Sequence, residues 1–121
     1  MARILVCDDS EFMRERIREI LKDNKHEIVG EAENGDDAAG KYAELKPELV
    51  TMDILMKPDG LGAIRKILAL NKTARIIIIS VLEDNQEEVI EGIRAGALGY
   101  VTKPVSPEAL IAEVKRVLGG R

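Results

Sequence analysis

The sequence predicts an α/β fold: a doubly wound, five-stranded parallel sheet in the order 2-1-3-4-5 with five helices. Three observations predict it. Short apolar runs alternate along the whole chain with segments whose apolar residues recur at helical spacing. Those runs are continuously apolar, which is the pattern of parallel strands covered on both faces. The length of 121 residues, with 45% hydrophobic and 33% charged residues, fits one domain with its own core, assigned to residues 1–121. Right-handed crossovers leave few topologies, of which this order is the simplest.

Each element follows in turn. Ile4 to Cys7 reads as the first strand, and Phe12, Met13, Ile17, Ile20 and Leu21 as the repeat of the first helix. Ile28, Val29 and Ala32 mark the second strand. Asn34-Gly35 turns the chain into a helix carrying Ala38, Tyr42 and Leu45. Pro47 introduces a third strand from Leu49 to Met52. Gly60 opens a helix with Leu61, Ile64 and Leu68 inward, and Ile76 to Ile79 forms the fourth strand. Val89, Ile90 and Ile93 belong to a helix that ends at Gly96, with Glu87, Glu88 and Glu91 on its solvated face. Leu98 to Thr102 is the fifth strand. Ser106-Pro107-Glu108 starts the last helix with a hydroxyl cap and a proline at the first helical position. Leu110, Val114, Val117 and Leu118 form its apolar stripe, and Gly119-Gly120 ends it. No linker, repeat or second domain is visible.

Bulk properties exclude several classes of function. With 22 acidic and 18 basic residues the net charge is -4, which is no footprint for nucleic acid. No apolar run is long enough to cross a bilayer, and the first residues lack a signal-peptide pattern, so a cytoplasmic protein without membrane contact is expected. The lone cysteine, Cys7, lies in an apolar run and reads as a buried thiol. His26 reads as a surface residue before the second strand.

Sites in open α/β sheets form beyond the carboxyl ends of the strands. There the sequence places Asp8 and Asp9 after strand one, Asp53 at the end of strand three, Ser80 after strand four, and Lys103-Pro104 after strand five. In the order 2-1-3-4-5, strands one and three are neighbours, so three carboxylates converge. Close carboxylates repel unless a cation intervenes. Mg²⁺ suits such a set, because it takes a few carboxylates and leaves positions for phosphate oxygens. A lysine and a hydroxyl beside it can hold the rest of a phosphoryl group, and a carboxylate can accept one. The plainer reading makes Asp8 and Asp9 helix caps and Lys103 an ion-pair partner. It has no reason to gather all five at one rim.

Here the chain resembles the receiver domains of response regulators, above all the CheY-like single-domain chemotaxis regulators with a flavodoxin-like fold. The marks are Val6-Cys7-Asp8-Asp9-Ser10, Phe12-Met13-Arg14, Gly30-Glu31-Ala32-Glu33-Asn34-Gly35, Lys46-Pro47, Val50-Thr51-Met52-Asp53, Ala95-Gly96-Ala97, Gly99-Tyr100 and Lys103-Pro104. They span essentially the whole chain. The resemblance implies Asp53 as phosphoacceptor, Asp9 as direct Mg²⁺ ligand, Asp8 as a ligand acting largely through water, and the Leu55 carbonyl as backbone ligand. It implies Ser80 as the switch hydroxyl, Lys103 as the phosphate-binding lysine and Tyr100 as the aromatic that changes rotamer. Pro104 matches a proline that often follows a cis peptide. Leu55 and Leu82 match the positions that flank the attacking water and tune phosphoryl lifetime.

Two loops depart from the family pattern. Met56-Lys57-Pro58-Asp59-Gly60 stands where Met-Pro-x-x-Asp/Asn-Gly is usual, about one residue shorter. The loop from Val81 to Gln86 is about one residue longer, and Val81 replaces the usual Ala or Gly. The implied partners are a histidine kinase, a downstream effector such as a flagellar motor or adaptor, and a phosphatase. Other readings are a receiver belonging to a larger regulator or phosphorelay, a receiver used only for docking, and a Mg²⁺-dependent phosphohydrolase with an Asp nucleophile. A flavin carrier is disfavoured by 2% aromatics and no Ser/Thr/Gly-rich phosphate loop after strand one.

Overall fold

A computed structural model describes residues 1–83 and 85–119. Its elements run β1 (Arg3–Cys7), α1 (Glu11–Asp23), β2 (Glu27–Ala32), α2 (Gly35–Leu45), β3 (Leu49–Asp53), α3 (Gly60–Leu70), β4 (Ile76–Ser80), α4 (Glu87–Ala95), β5 (Gly99–Thr102) and α5 (Pro107–Leu118). The strands are all parallel, in the order β2-β1-β3-β4-β5. The predicted fold class is the observed one.

Strand side chains alternate between two apolar layers, because successive residues point to opposite faces. Leu5, Cys7, Val50, Met52, Ile76 and Ile78 face Ala38 and Tyr42 of α2 and Ile64 and Ile67 of α3. Ile4, Val6, Leu49, Ile77, Ile79 and Val101 face Ile17 and Leu21 of α1 and Leu110 and Val114 of α5. Cys7 is buried as expected, and burial pushes its thiol pKa up. Among the described residues, no helix is long and apolar enough to cross a membrane.

The structure turns several expected core residues outward. Phe12 is 74% exposed. Five residues at helical pitch set it about 140° from Ile17, whereas Met13 falls on the buried stripe. Ile93 is exposed too, and Gly92 is buried in its place. A Cβ on Gly92 would come within 2.6 Å of Ile78 Cδ1, so α4 approaches the sheet through the glycine and Ile93 faces out. Leu98 is exposed before β5 begins. Leu61 and Leu68 only flank the α3 contact made by Ala63, Ile64 and Ile67. His26 is half-buried, and its Nδ1 accepts the Ala2 N–H at 3.1 Å. The α5 cap is as predicted: Ser106 Oγ accepts the Ala109 N–H. Gly120, the second residue of the expected helix stop, lies outside the described residues, as does Asp84 in the loop after β4.

Candidate functional site: an acidic rim at the strand ends

Parallel register carries the ends of β1, β3, β4 and β5 to the same edge: Cys7 pairs with Met52, Asp53 with Ile79 and Ser80 with Thr102. Each strand then delivers its polar residue there. The Asp8 N–H extends the ladder to Ala32 O at 3.0 Å. Asp8 Oδ1 accepts the Ser10 N–H at 2.9 Å, and Ser10 Oγ accepts the Met13 N–H. The cap of α1 is therefore Ser10 and not either aspartate. Asp8 is buried, while Asp9 is exposed at the mouth.

Asp53 is buried at 5% exposure. Its Oδ1 accepts the Leu55 N–H at 3.0 Å and its Oδ2 accepts from Lys103 Nζ at 3.2 Å. The turn that follows packs tightly, since a Cβ on Gly60 would sit 2.5 Å from the carbonyl oxygen of Asp53. Lys103 Nζ also lies 2.9 Å from Asp8 Oδ2, so one ammonium stands between two buried carboxylates. The Lys103 N–H donates to Ser80 O, and both Lys103–Pro104 and Lys57–Pro58 are cis peptides.

Carboxylate oxygens of Asp8, Asp9 and Asp53 lie within 4.8 Å of one another. Burial pushes the Asp53 carboxyl above its ordinary pKa; Asp8 adds to this, and Lys103 and the Leu55 amide oppose it. Burial works against the Lys103 charge, but Asp8 and Asp53 outweigh it and its pKa is raised. The group fits a divalent cation on two grounds. Its donors are hard carboxylate oxygens. Asp8 Oδ2 is buried without a hydrogen bond of good geometry, despite the nearby ammonium, and so has a lone pair to offer.

The hydroxyl and aromatic predicted beside this group are close by in the fold. Ser80 is fully buried, and its Oγ accepts the Leu82 N–H at 3.2 Å. The Tyr100 hydroxyl donates to the carbonyl of Leu82, and the Tyr100 N–H donates to Glu113 Oε2 at 2.8 Å. Arg116 holds Glu113 in turn and lowers its pKa. Val81 is 62% exposed, Leu55 is 39% exposed, and Leu82 packs half-buried against the α2–α3 core layer. An open groove of about 670 Å³ adjoins the rim, lined by Asp9, Glu33, Asn34, Lys57 and Pro58.

Sequence reasoning assigned no role to Arg14. Its Nη1 donates to the Asp8 carbonyl at 2.7 Å, and its Nε donates to Glu31 Oε1 at 3.2 Å. The available signal was an arginine in the first helix, five residues beyond Asp9.

The sequence profile of the response regulator receiver domain matches residues 4–115. The chemotaxis protein CheY of Bacillus subtilis is 43% identical over 96% of this chain and 97% of its own length. Protein CcdB of the same organism is 42% identical over 98% of this chain and 99% of its own length. Among solved structures, the Borrelia burgdorferi CheX–CheY–BeF₃–Mg²⁺ complex has a chain that superposes with a TM-score of 0.90 at 28% identity, covering 96% of this chain and 88% of that one.

Proposed function

The chain belongs to the response regulator receiver domain family, and on that premise we propose that residues 1–121 form a single receiver that takes a phosphoryl group from a histidine kinase onto Asp53. The observation that carries this reading is the rim itself: three carboxylates within 4.8 Å, one of them with an orphaned oxygen, and a lysine between two of them. A relative solved with BeF₃ and Mg²⁺ supports it, since beryllium trifluoride has the shape and charge of a phosphoryl group.

Asp8, Asp9, Asp53 and the carbonyl of Leu55 are the groups that would hold Mg²⁺. When bound, it neutralises charge on the carboxylates and on the phosphoryl oxygens. The chain's own residues do the rest. An Asp53 oxygen attacks phosphorus, the bond from phosphorus to the donor imidazole breaks, and the imidazole leaves with that electron pair. Lys103 exchanges its contact with Asp53 for one with a phosphoryl oxygen. Ser80 gives up the Leu82 amide to donate to another phosphoryl oxygen, and this frees Tyr100 to turn. The surface of α4, β5 and α5 then changes for a partner.

Chemotaxis is the proposed pathway, supported by the CheY relatives, with a flagellar motor or adaptor as effector and a phosphatase for reset. The proposed setting is the cytoplasm. Membrane and nucleic acid are not proposed partners, and the only catalysis proposed is the chain's own phosphorylation and dephosphorylation.

The test is acetyl phosphate with Mg²⁺, read by intact mass. Wild type should gain one phosphoryl group and Asp53→Asn none. Modification that persists in Asp53→Asn would remove Asp53 as acceptor. Many turnovers of a generic phosphate ester would favour a phosphohydrolase instead.

A further inference from the structure

The two aspartates after β1 are joined by one peptide bond, and that peptide is planar. Its plane fixes the two Cα atoms from which both carboxylates project. Asp8 goes inward and Asp9 goes to the mouth, yet both reach the same small volume as Asp53. The carbonyl of this peptide belongs to Asp8, and it accepts from Arg14 Nη1 at 2.7 Å. The preceding peptide is held too, since the Asp8 N–H donates to Ala32 O at 3.0 Å.

Arg14 is itself held. Its side chain is 13% exposed, and its Nε donates to Glu31 Oε1 at 3.2 Å. Glu31 Oε2 accepts from Arg18 at 2.6 Å. The guanidinium thus bridges α1, the end of β1 and the end of β2. A planar fork can give one N–H to a carbonyl and another to a carboxylate, a geometry that a lysine's single nitrogen does not reproduce.

We propose that Arg14 is a positioning residue of the cation site, acting through the Asp8–Asp9 peptide to set both carboxylates for a divalent ion. This rests on reading the rim as a Mg²⁺-dependent phosphoryl site. Two physical roles for Arg14 have opposite signs. As a bare positive charge near the carboxylates it would compete with the metal, and its removal would tighten metal binding. As the clamp on the peptide it organises the ligands, and its removal weakens binding. Partners of metal ligands at this remove are typically worth about tenfold or more in affinity.

The experiment titrates Mn²⁺ into wild type, Arg14→Met, Arg14→Lys and Asp9→Ala, with free Mn²⁺ read by electron paramagnetic resonance. Circular dichroism melts fix a temperature at which each variant is folded. Arg14→Met should bind Mn²⁺ about tenfold more weakly, and Arg14→Lys should stay weak although it keeps the charge. In acetyl phosphate reactions, Arg14→Met should need about tenfold more Mg²⁺ for half-maximal rate and reach a near wild-type rate at saturation. Affinity equal to or tighter than wild type in Arg14→Met overturns the proposal, as does full affinity in Arg14→Lys. Should Arg14→Met not fold, Arg14→Lys decides alone. Wild type that binds no Mn²⁺, or Asp9→Ala that binds as wild type does, would instead overturn the reading of the rim.

Discussion

The turn after β1 and the turn after β4 meet at the same rim but are built differently. After β1, the backbone and side chains that carry the carboxylates are tied in a chain. Ser10 donates to Asp8 and caps α1, Arg14 holds the Asp8 carbonyl, and Glu31 holds Arg14. After β4, the buried Ser80 hydroxyl takes the Leu82 amide, Val81 stands 62% exposed, and among the described residues Gln86 opens α4 with no side-chain cap bond. Among the described residues, α1, α2, α3 and α5 all have such a bond. A binding site benefits from ligands fixed in advance, whereas a switch needs an element with two arrangements close in energy. The proposed cation site falls on the tied half of the rim and the proposed switch on the looser half.

The largest test of this contrast concerns phosphoryl lifetime. Leu55 on the binding side and Leu82 on the switching side carry no group that can orient a water. If both flank the in-line approach to Asp53, the Leu55→Asn, Leu82→Glu double variant should lose its phosphoryl group roughly a hundredfold faster. Decay is followed by intact mass after removal of acetyl phosphate. A double variant as slow as the parent would mean that Leu82, packed against the core layer, has left the water's path.

The second test uses the burial of the Asp53 carboxylate. Asp53 has a folded pKa raised above its unfolded value, chiefly by burial. Its contribution to stability is full below the ordinary carboxylate value of about 3.9 and is lost as pH rises through the raised folded value. At neutral pH without metal, Asp53→Asn should therefore be the more stable protein, with the higher melting temperature. The gap should close as pH falls toward the ordinary carboxylate range, and Mg²⁺ should reverse it. Thermal melts across pH, with and without Mg²⁺, check both signs. No gap at neutral pH would mean that Lys103 fully satisfies the group.

The smallest effect is a cap. Gln86→Ser supplies the hydroxyl that α4 lacks, and should raise stability by about 0.5 kcal/mol. If a loosely tied switching half matters for signalling, the same change should shift the phosphorylation-dependent NMR signals of Tyr100 while leaving Mn²⁺ affinity at the rim unaltered. An unaltered Tyr100 response would separate the cap from the switch.

The architecture was legible in the sequence because it depends on periodicity, which is local. Four consecutive isoleucines in β4 and the helical repeats around Ile17 and Val114 need no knowledge of distant residues to show strand and helix. The parallel order followed from chain handedness, and with it the convergence of Asp8, Asp9, Asp53, Ser80 and Lys103 at one end of the sheet. What the sequence could not determine is how those groups are tied once together. Lys103 meets Asp53 across 50 residues, and Arg14 meets Glu31 across 17. Such bonds depend on angles of a few degrees between elements, which no spacing rule encodes. For the same reason only the packed structure showed Ser10 as the cap of α1, and turned Phe12 and Ile93 to solvent. A pattern says that a residue can be buried, and the neighbouring helix or sheet decides whether anything lies over it.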